Sequence, residues 1–263
     1  MIASPKLRVE RLAKSFPGAG DGDEIRALAD VSLSVGEGEF VSIVGPSGCG
    51  KSTLFSIVAG LDEPSDGVVE VAGHTGSLLG AVGLMPQRDL LMPWKSVLDN
   101  TAIGPRLAGK SRRASREVAQ SYFTEFGLAG FESKWPGQLS GGMRQRAALL
   151  RTFLGGQDLL LLDEPFGALD ALTRRTMQAW LLEVWEKHRV TILFITHDVD
   201  EAILLSDRVY VMSGRPGGIA LELPIDLPRP RSAEMQESST FTDYRRRLLE
   251  PLGAGHGAAG ATR

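Results

Sequence analysis

A lysine and a serine that close a run of glycines, and two acids that close a run of leucines, are the residues of this chain best placed to do chemistry. Gly45, Gly50, Lys51 and Ser52 satisfy the spacing G-x-x-x-x-G-K-S, with Pro46, Ser47, Gly48 and Cys49 in the interval and Thr53 following. Glycines let backbone N–H groups wrap a phosphate, Lys51 can reach its outer oxygens, and the Ser52 hydroxyl suits Mg²⁺. Leu159 to Leu162 run into Asp163 and Glu164. An acid at the carboxyl end of a central strand can hold Mg²⁺ through water, and the acid beside it can orient an attacking water. Between the two segments stands Leu139-Ser140-Gly141-Gly142-Met143, a hydroxyl and two glycines ahead of a helical stretch. That is a second set of free N–H groups suited to an anion.

Such groups need a rigid frame. Phe40 to Val44 reads as a buried strand running straight into the glycine loop, and Thr53 to Ala59 as the helix after it, ended by Gly60. Val31 to Val35 alternates apolar and polar in the manner of a half-buried strand, and Val68 to Val71 is another short one. From about Arg88 to Gly156 strands are scarce, while Ser111 to Phe126 and Arg144 to Leu154 look helical, so this stretch reads as an inserted helical lobe. Strands return at Leu159 to Leu162, Val190 to Thr196 and Arg208 to Met212. Met177, Trp180, Leu181 and Val184 stripe an intervening helix over Ala171 to Lys187. Apolar strands alternating with helices imply an α/β fold with a mainly parallel sheet covered on both faces.

Composition limits the partners. The 263 residues carry a formal charge of −3, with 43% apolar and 23% charged residues, so the chain as a whole is not built to attract nucleic acid. Its single cysteine, Cys49, permits no internal disulfide and fits a reducing compartment. The amino end lacks a signal peptide's apolar stretch, and no apolar run approaches the roughly 18 residues that cross a bilayer. Any membrane crossing therefore falls to another chain. His74, His188 and His256 carry no motif and read as surface residues.

With these segments in this order, the chain resembles the ATP-binding subunits of ABC transporters over about Leu7 to Arg231. The resemblance implies a P-loop NTPase core with an N-terminal antiparallel β portion and the helical lobe inserted at about 88–156. A short C-terminal helix and a disordered tail would fill 232–263. It implies ATP and Mg²⁺, with Ser52, Gln87 and Asp163 at the metal and Glu164, Gln87 and the switch histidine His197 in catalysis. Phe16 matches the aromatic that stacks on adenine, a residue otherwise read as core packing. In the family the Leu-Ser-Gly-Gly segment serves the nucleotide of a second copy. Ser140, Gly141 and Gly142 therefore match a site completed in trans, and Asp170 matches the loop that runs between the paired subunits. Met143 stands where the family usually has Gln, a change that leaves the phosphate contacts alone.

Two further stretches narrow the resemblance. Leu90-Leu-Met-Pro93-Trp94 with Val97 to Asn100, and Arg215-Pro-Gly-Gly218 with Leu227-Pro-Arg-Pro-Arg231, look like the nitrate, sulfonate and taurine importer group. That group includes importers of thiamine-pyrimidine precursors, and Met85-Pro-Gln87-Arg-Asp leans toward those. Implied partners are a head-to-tail second copy, integral membrane permease subunits and a solute-binding protein. The implied place is the cytoplasmic face of the cell membrane. Alternatives are the cassette of an exporter, or a soluble ABC protein of translation or DNA repair. Basic clusters at Arg106 to Arg116 and Arg245 to Arg247 read as solvated helix faces, with attraction to acidic lipid headgroups as the sharper alternative.

Overall fold

The computed structural model describes residues 5–18, 20 and 23–254; the Gly/Ala-rich tail beyond 254 and His256 lie outside the described residues. Strands β1 (Leu7–Pro17), β2 (Glu24–Val35) and β4 (Asp66–Val71) form an antiparallel sheet in the order β2-β1-β4. The second sheet has six strands, in the order β5-β6-β7-β3-β8-β9. These are β3 (Phe40–Val44), β5 (Gly83–Met85), β6 (Leu159–Asp163), β7 (Thr191–Thr196), β8 (Arg208–Met212) and β9 (Ile219–Pro224), parallel throughout except for β9. Helix α1 (Lys51–Val58) follows β3, and α2 (Val97–Thr101), α3 (Ile103–Leu107), α4 (Arg112–Ser121) and α5 (Gly141–Phe153) lie between β5 and β6. Helices α6 (Ala171–His188) and α7 (Val199–Leu205) flank β7, and α8 (Ser239–Ala254) closes the described chain.

The period-2 pleat of the parallel strands divides the core in two. Phe40, Val44, Leu160, Leu162, Ile192 and Phe194 point to one face, into a cluster completed by residues of α5, α6, α7 and α8. Val41, Ile43, Leu159, Leu161, Leu193 and Ile195 point to the other, against α1 and the antiparallel sheet. Strands covered on both sides need apolar residues at every position, which is why β6 is four consecutive leucines before its acid. The fold is the expected α/β architecture.

Three differences from the sequence reading have local causes. The helix expected over Ser111 to Phe126 starts with Ser111 as its cap, accepting from Ala114 N at 3.2 Å, but ends at Ser121. Tyr122 and Phe126 leave it as tight turns to stack on Phe153, with ring centroids 5.5 and 5.7 Å away. His188 is a packing residue, not a surface one. Its ring lies 4.9 Å from that of Phe153, and its Nε2 is 2.6 Å from Glu125. Helix α8 has 16 residues and buries Phe241 and Leu248 in the helical face of the core. The helix expected there as a short one is an integral packing element.

The segment between β9 and α8 supplies one buried cation. Arg231 is only 7% exposed, and its guanidinium donates to the carbonyls of Ile203, Ser206, Ile225 and Leu227 at 2.6–3.3 Å. The first two belong to the last turn of α7 and its cap, where helix carbonyls lack intrahelical partners. Burial and the neighbouring Arg229 draw the Arg231 pKa down to about 10, so the group keeps its charge at neutral pH. Replacing it strands several buried acceptors, each at about 1–3 kcal/mol. Arg231→Met is expected to lower the unfolding free energy by about 2–4 kcal/mol, read by urea denaturation. A loss within experimental error would show that water satisfies these carbonyls instead.

Candidate functional site

Parallel register brings the chemical residues to one edge. Met85 stands opposite Leu162, Asp163 opposite Ile195, and Val44 opposite Thr196. The chain therefore leaves four neighbouring strands at one level, and Gln87, Asp163 with Glu164, His197 and the loop from Gly45 all follow that row. This is the carboxyl edge of the sheet, where α/β folds bind ligands.

Between β3 and α1 the loop turns on Gly48 (φ 77°) and Gly50 (φ 102°), both left-handed. Lys51 is buried and its ammonium donates to the carbonyls of Gly45 at 2.8 Å and Pro46 at 3.0 Å, so it is held inside the curve of its own loop. Cys49 is buried beneath: a Cβ on Gly45 would fall 2.9 Å from its sulfur. That makes it a packing residue. The loop forms one wall of a cleft of about 450 Å³ lined also by Phe16, Ile25, Ala27, Thr53, Glu164 and Arg215. Phe16 is 37% exposed there, with the Lys14 ammonium 4.9 Å from its ring centroid.

Glu164 is the hub of the acids. Its Oε2 accepts from Gln87 Nε2 at 3.3 Å and lies 3.2 Å from His197 Nδ1. Facing a carboxylate, Nδ1 carries the proton and leaves Nε2 available to a ligand. The backbone of Glu164 is left-handed (φ 43°), a conformation that costs a non-glycine residue on the order of 1–3 kcal/mol. Its N–H bonds Ile195 O at 3.0 Å and its carbonyl accepts from Gly167 N at 3.1 Å, and these hold the strain in place. Asp163 Oδ2 is 3.5 Å from the Ser52 hydroxyl. Burial, followed by the adjacent Glu164 charge, pushes the Asp163 pKa above its ordinary value, against the opposing pull of Ser52 and Lys51.

Ser140 and Asp170 do not line this cleft; they meet each other's elements elsewhere. Ser140 caps α5, accepting from Met143 N at 3.3 Å, and Asp170 caps α6, accepting from Thr173 N at 3.0 Å. A Cβ on Gly142 would lie 3.1 Å from the Thr173 methyl, and one on Gly141 would lie 3.3 Å from Leu169. The two glycines therefore let one helix start against the other. Helix α5 is also tied to the segment after Gln87. Arg144 pairs with Asp89 at 3.3 Å, and Arg151 donates to the Asp89 and Leu90 carbonyls at 2.7 Å. Hydrogen bonds from the backbone and side chain of Thr173 hold the Asp170 carboxyl below its ordinary pKa.

Residues 28–167 match the ABC transporter family. The chain belongs to that family. The stretch runs from β2 through the phosphate loop, the Ser140 segment and both acids. Among relatives of this ABC ATPase, the formylaminopyrimidine import ATP-binding protein ThiZ of Halalkalibacterium halodurans is 43% identical, over 84% of this chain and 89% of the relative. The aliphatic sulfonates import ATP-binding protein SsuB of Burkholderia pseudomallei is 44% identical, over 97% and 72%. A solved dimeric ATP-binding cassette, in a post-hydrolysis state with ADP and Pi, superposes with a TM-score of 0.72. It is 28% identical and covers 84% of this chain and all of that one. The importer group that the sequence resembles is the one from which both named relatives come.

Arg215 lines the cleft, and motif reading does not single it out for the site. Its segment served only to narrow the family branch, and a Gly/Pro-rich turn after a strand carries no motif for anion binding. Arg151 and Arg144 were likewise read only as part of a helix.

The cost of burying Asp163 beside Glu164 yields a test. A raised carboxylate pKa means that the folded state disfavours the charge, so the charge destabilises the free protein at neutral pH and the penalty fades on acidification. Asp163→Asn in nucleotide-free protein is expected to raise the melting midpoint, because it removes a charge that the fold disfavours. A lower midpoint would show that the hydrogen bond to Ser52 outweighs desolvation.

Proposed function

We propose that this ABC ATPase powers an importer for a small solute of the nitrate, sulfonate and taurine class or a pyrimidine precursor, working as a head-to-tail pair beneath a separate permease. The convergence of Gln87 and His197 on Glu164 Oε2 carries the catalytic part of this reading. Import rests on the two relatives named as import proteins.

In this reading the adenine base stacks on Phe16 and the phosphates lie along residues 45–53, with Gly45, Ser47, Gly48, Gly50 and Thr53 shaping the backbone around them. Lys51 then exchanges a loop carbonyl for phosphate oxygens. Ser52 Oγ and Asp163 Oδ2 are hard oxygen donors on the loop's flank. They fit Mg²⁺, which takes one or two protein ligands and leaves its other positions to phosphate oxygens and water. Gln87 would join them. Bound there, the ion would neutralise charge on the β- and γ-phosphates. Glu164 orients the attacking water, and His197 Nε2 faces the γ-phosphate. Ser140, Gly141 and Gly142 would close over the nucleotide of the second copy, with Asp170 in the seam. That arrangement uses two surfaces lying on different parts of one chain.

Among the described residues no helix is long and apolar enough to cross a membrane, so transport requires permease subunits. The segment from Gln87 to Trp94, gripped by Arg144 and Arg151 of the helix that Ser140 caps, would pass closure to them. A solute-binding protein would deliver the cargo, and the ATPase would sit peripherally on the cytoplasmic face.

Glu164→Gln should leave ATP binding intact and slow hydrolysis on the order of 10²–10⁴-fold, measured as phosphate release at saturating ATP. Near-parental turnover would take Glu164 out of catalysis. Pairing is tested by a mixed dimer with Lys51→Ala in one subunit and Ser140→Ala in the other. One site keeps both contacts and the other loses both, so nucleotide occupancy should be unequal. Equal occupancy of the two sites refutes head-to-tail closure.

A further inference from the structure

We propose that Arg215 is a nucleotide-binding residue of this ATPase, its guanidinium contacting the di- or triphosphate from the side of the loop opposite Glu164. The assignment rests on the reading of the cleft as an ATP site. It adds a cation that the sequence motifs do not contain.

Strand β8 is the parallel neighbour of β3, with Val211 opposite Val44, so the turn after β8 leaves the sheet beside the phosphate loop. That turn is fixed. Gly217 N donates to Ala27 O at 2.9 Å, Ala29 N donates to Gly217 O at 2.8 Å, and Ser213 N donates to Gly218 O at 2.9 Å. A Cβ on Gly217 would fall 1.9 Å from the Cys49 carbonyl, so only glycine lets the turn lie this close against the loop. Arg215 is thereby carried between the phosphate loop and β2, the strand that supplies Ile25 and Ala27 to the same cleft.

Arg215 Nε donates to Gly48 O at 2.6 Å, and a Cβ on Gly48 would lie 3.2 Å from Nη2. The planar group is therefore laid against the tip of the loop. Among the described residues no carboxylate pairs with Arg215, and no acceptor takes its Nη hydrogens. A guanidinium with one N–H anchored and a fork of donors left over, exposed in a cleft shared with Lys51 and Ser52, matches the oxygens of a phosphate chain.

The phosphate count of the ligand separates contact from mere support of the loop. Binding of fluorescent ATP, ADP and AMP analogues to the full chain with Mg²⁺ would be compared for the parent, Arg215→Ala and Arg215→Lys, with melting curves to confirm folding. If Arg215 touches the phosphates, Arg215→Ala weakens ATP and ADP about 10–100-fold, the loss of a charge-assisted hydrogen bond, and AMP less than about twofold by the same reasoning. Arg215→Lys recovers part of the loss. Equal weakening of all three ligands, or none, overturns the assignment and leaves the ATP reading standing. A parent that binds none of the three overturns both.

Discussion

Hydrogen bonding of β7 to β6 on one side and β3 on the other is the constraint on which the rest of the structure depends. Because the pairs are parallel and in register, Asp163, Thr196 and Val44 finish at one level. Four chain segments far apart in sequence then enter loops from a common line. Slip any of these strands by one residue and its two buried faces exchange side chains, which the close packing of each cluster opposes. The site's geometry is thus protected by the packing of residues that take no part in it.

That packing also sustains two local penalties at the edge. Glu164 holds a left-handed backbone, and Asp163 keeps a carboxylate where burial and a neighbouring acid disfavour it. Each of the four buried leucines of β6 contributes about 1.5–3 kcal/mol, so one strand's burial exceeds the strain at its end, on the order of 1–3 kcal/mol. Both penalties point the acids toward the phosphate loop. A relaxed backbone at Glu164 would turn its side chain away from Gln87 and His197.

How much of this could be read in advance depended on the range of the interactions. The strands Phe40 to Val44 and Arg208 to Met212 were legible to the residue, because continuous apolar runs bounded by glycine or polar residues leave few alternatives. The phosphate loop, the two acids, Ser140 and His197 stand out in the sequence because the chemistry proposed for them requires fixed neighbours. Strand β5, three residues long, was not, since Gly83 to Met85 gains its partner only from β6. Helix α7 was missed for a related reason: seven residues are too few to display a stripe, and its boundary is set by the Asp198 cap and by Arg231. Arg215 and His188 are placed by partners 167 and 63 residues away in sequence. No local pattern encodes such contacts.

Helix α7 shows what the chain beyond the matched stretch does for the site. It begins two residues after His197, and its exit angle decides where that ring points. At its start Arg245 of α8 grips Asp200 through both carboxylate oxygens, at 2.5 and 2.9 Å. At its end Arg231 gathers the last carbonyls, and Arg229 donates to Leu205 O at 3.0 Å and pairs with Asp207 at 2.7 Å while stacking 4.1 Å from Trp185. A helix of seven residues is marginal by itself. Here both ends are bonded to arginines from the C-terminal segment, so α7 behaves as part of the sheet's helical layer and not as a loose loop. His197, 56% exposed in its side chain, therefore has a firm base with a free tip. That combination suits a residue that must hold Glu164 on one ring nitrogen and offer the other to a ligand.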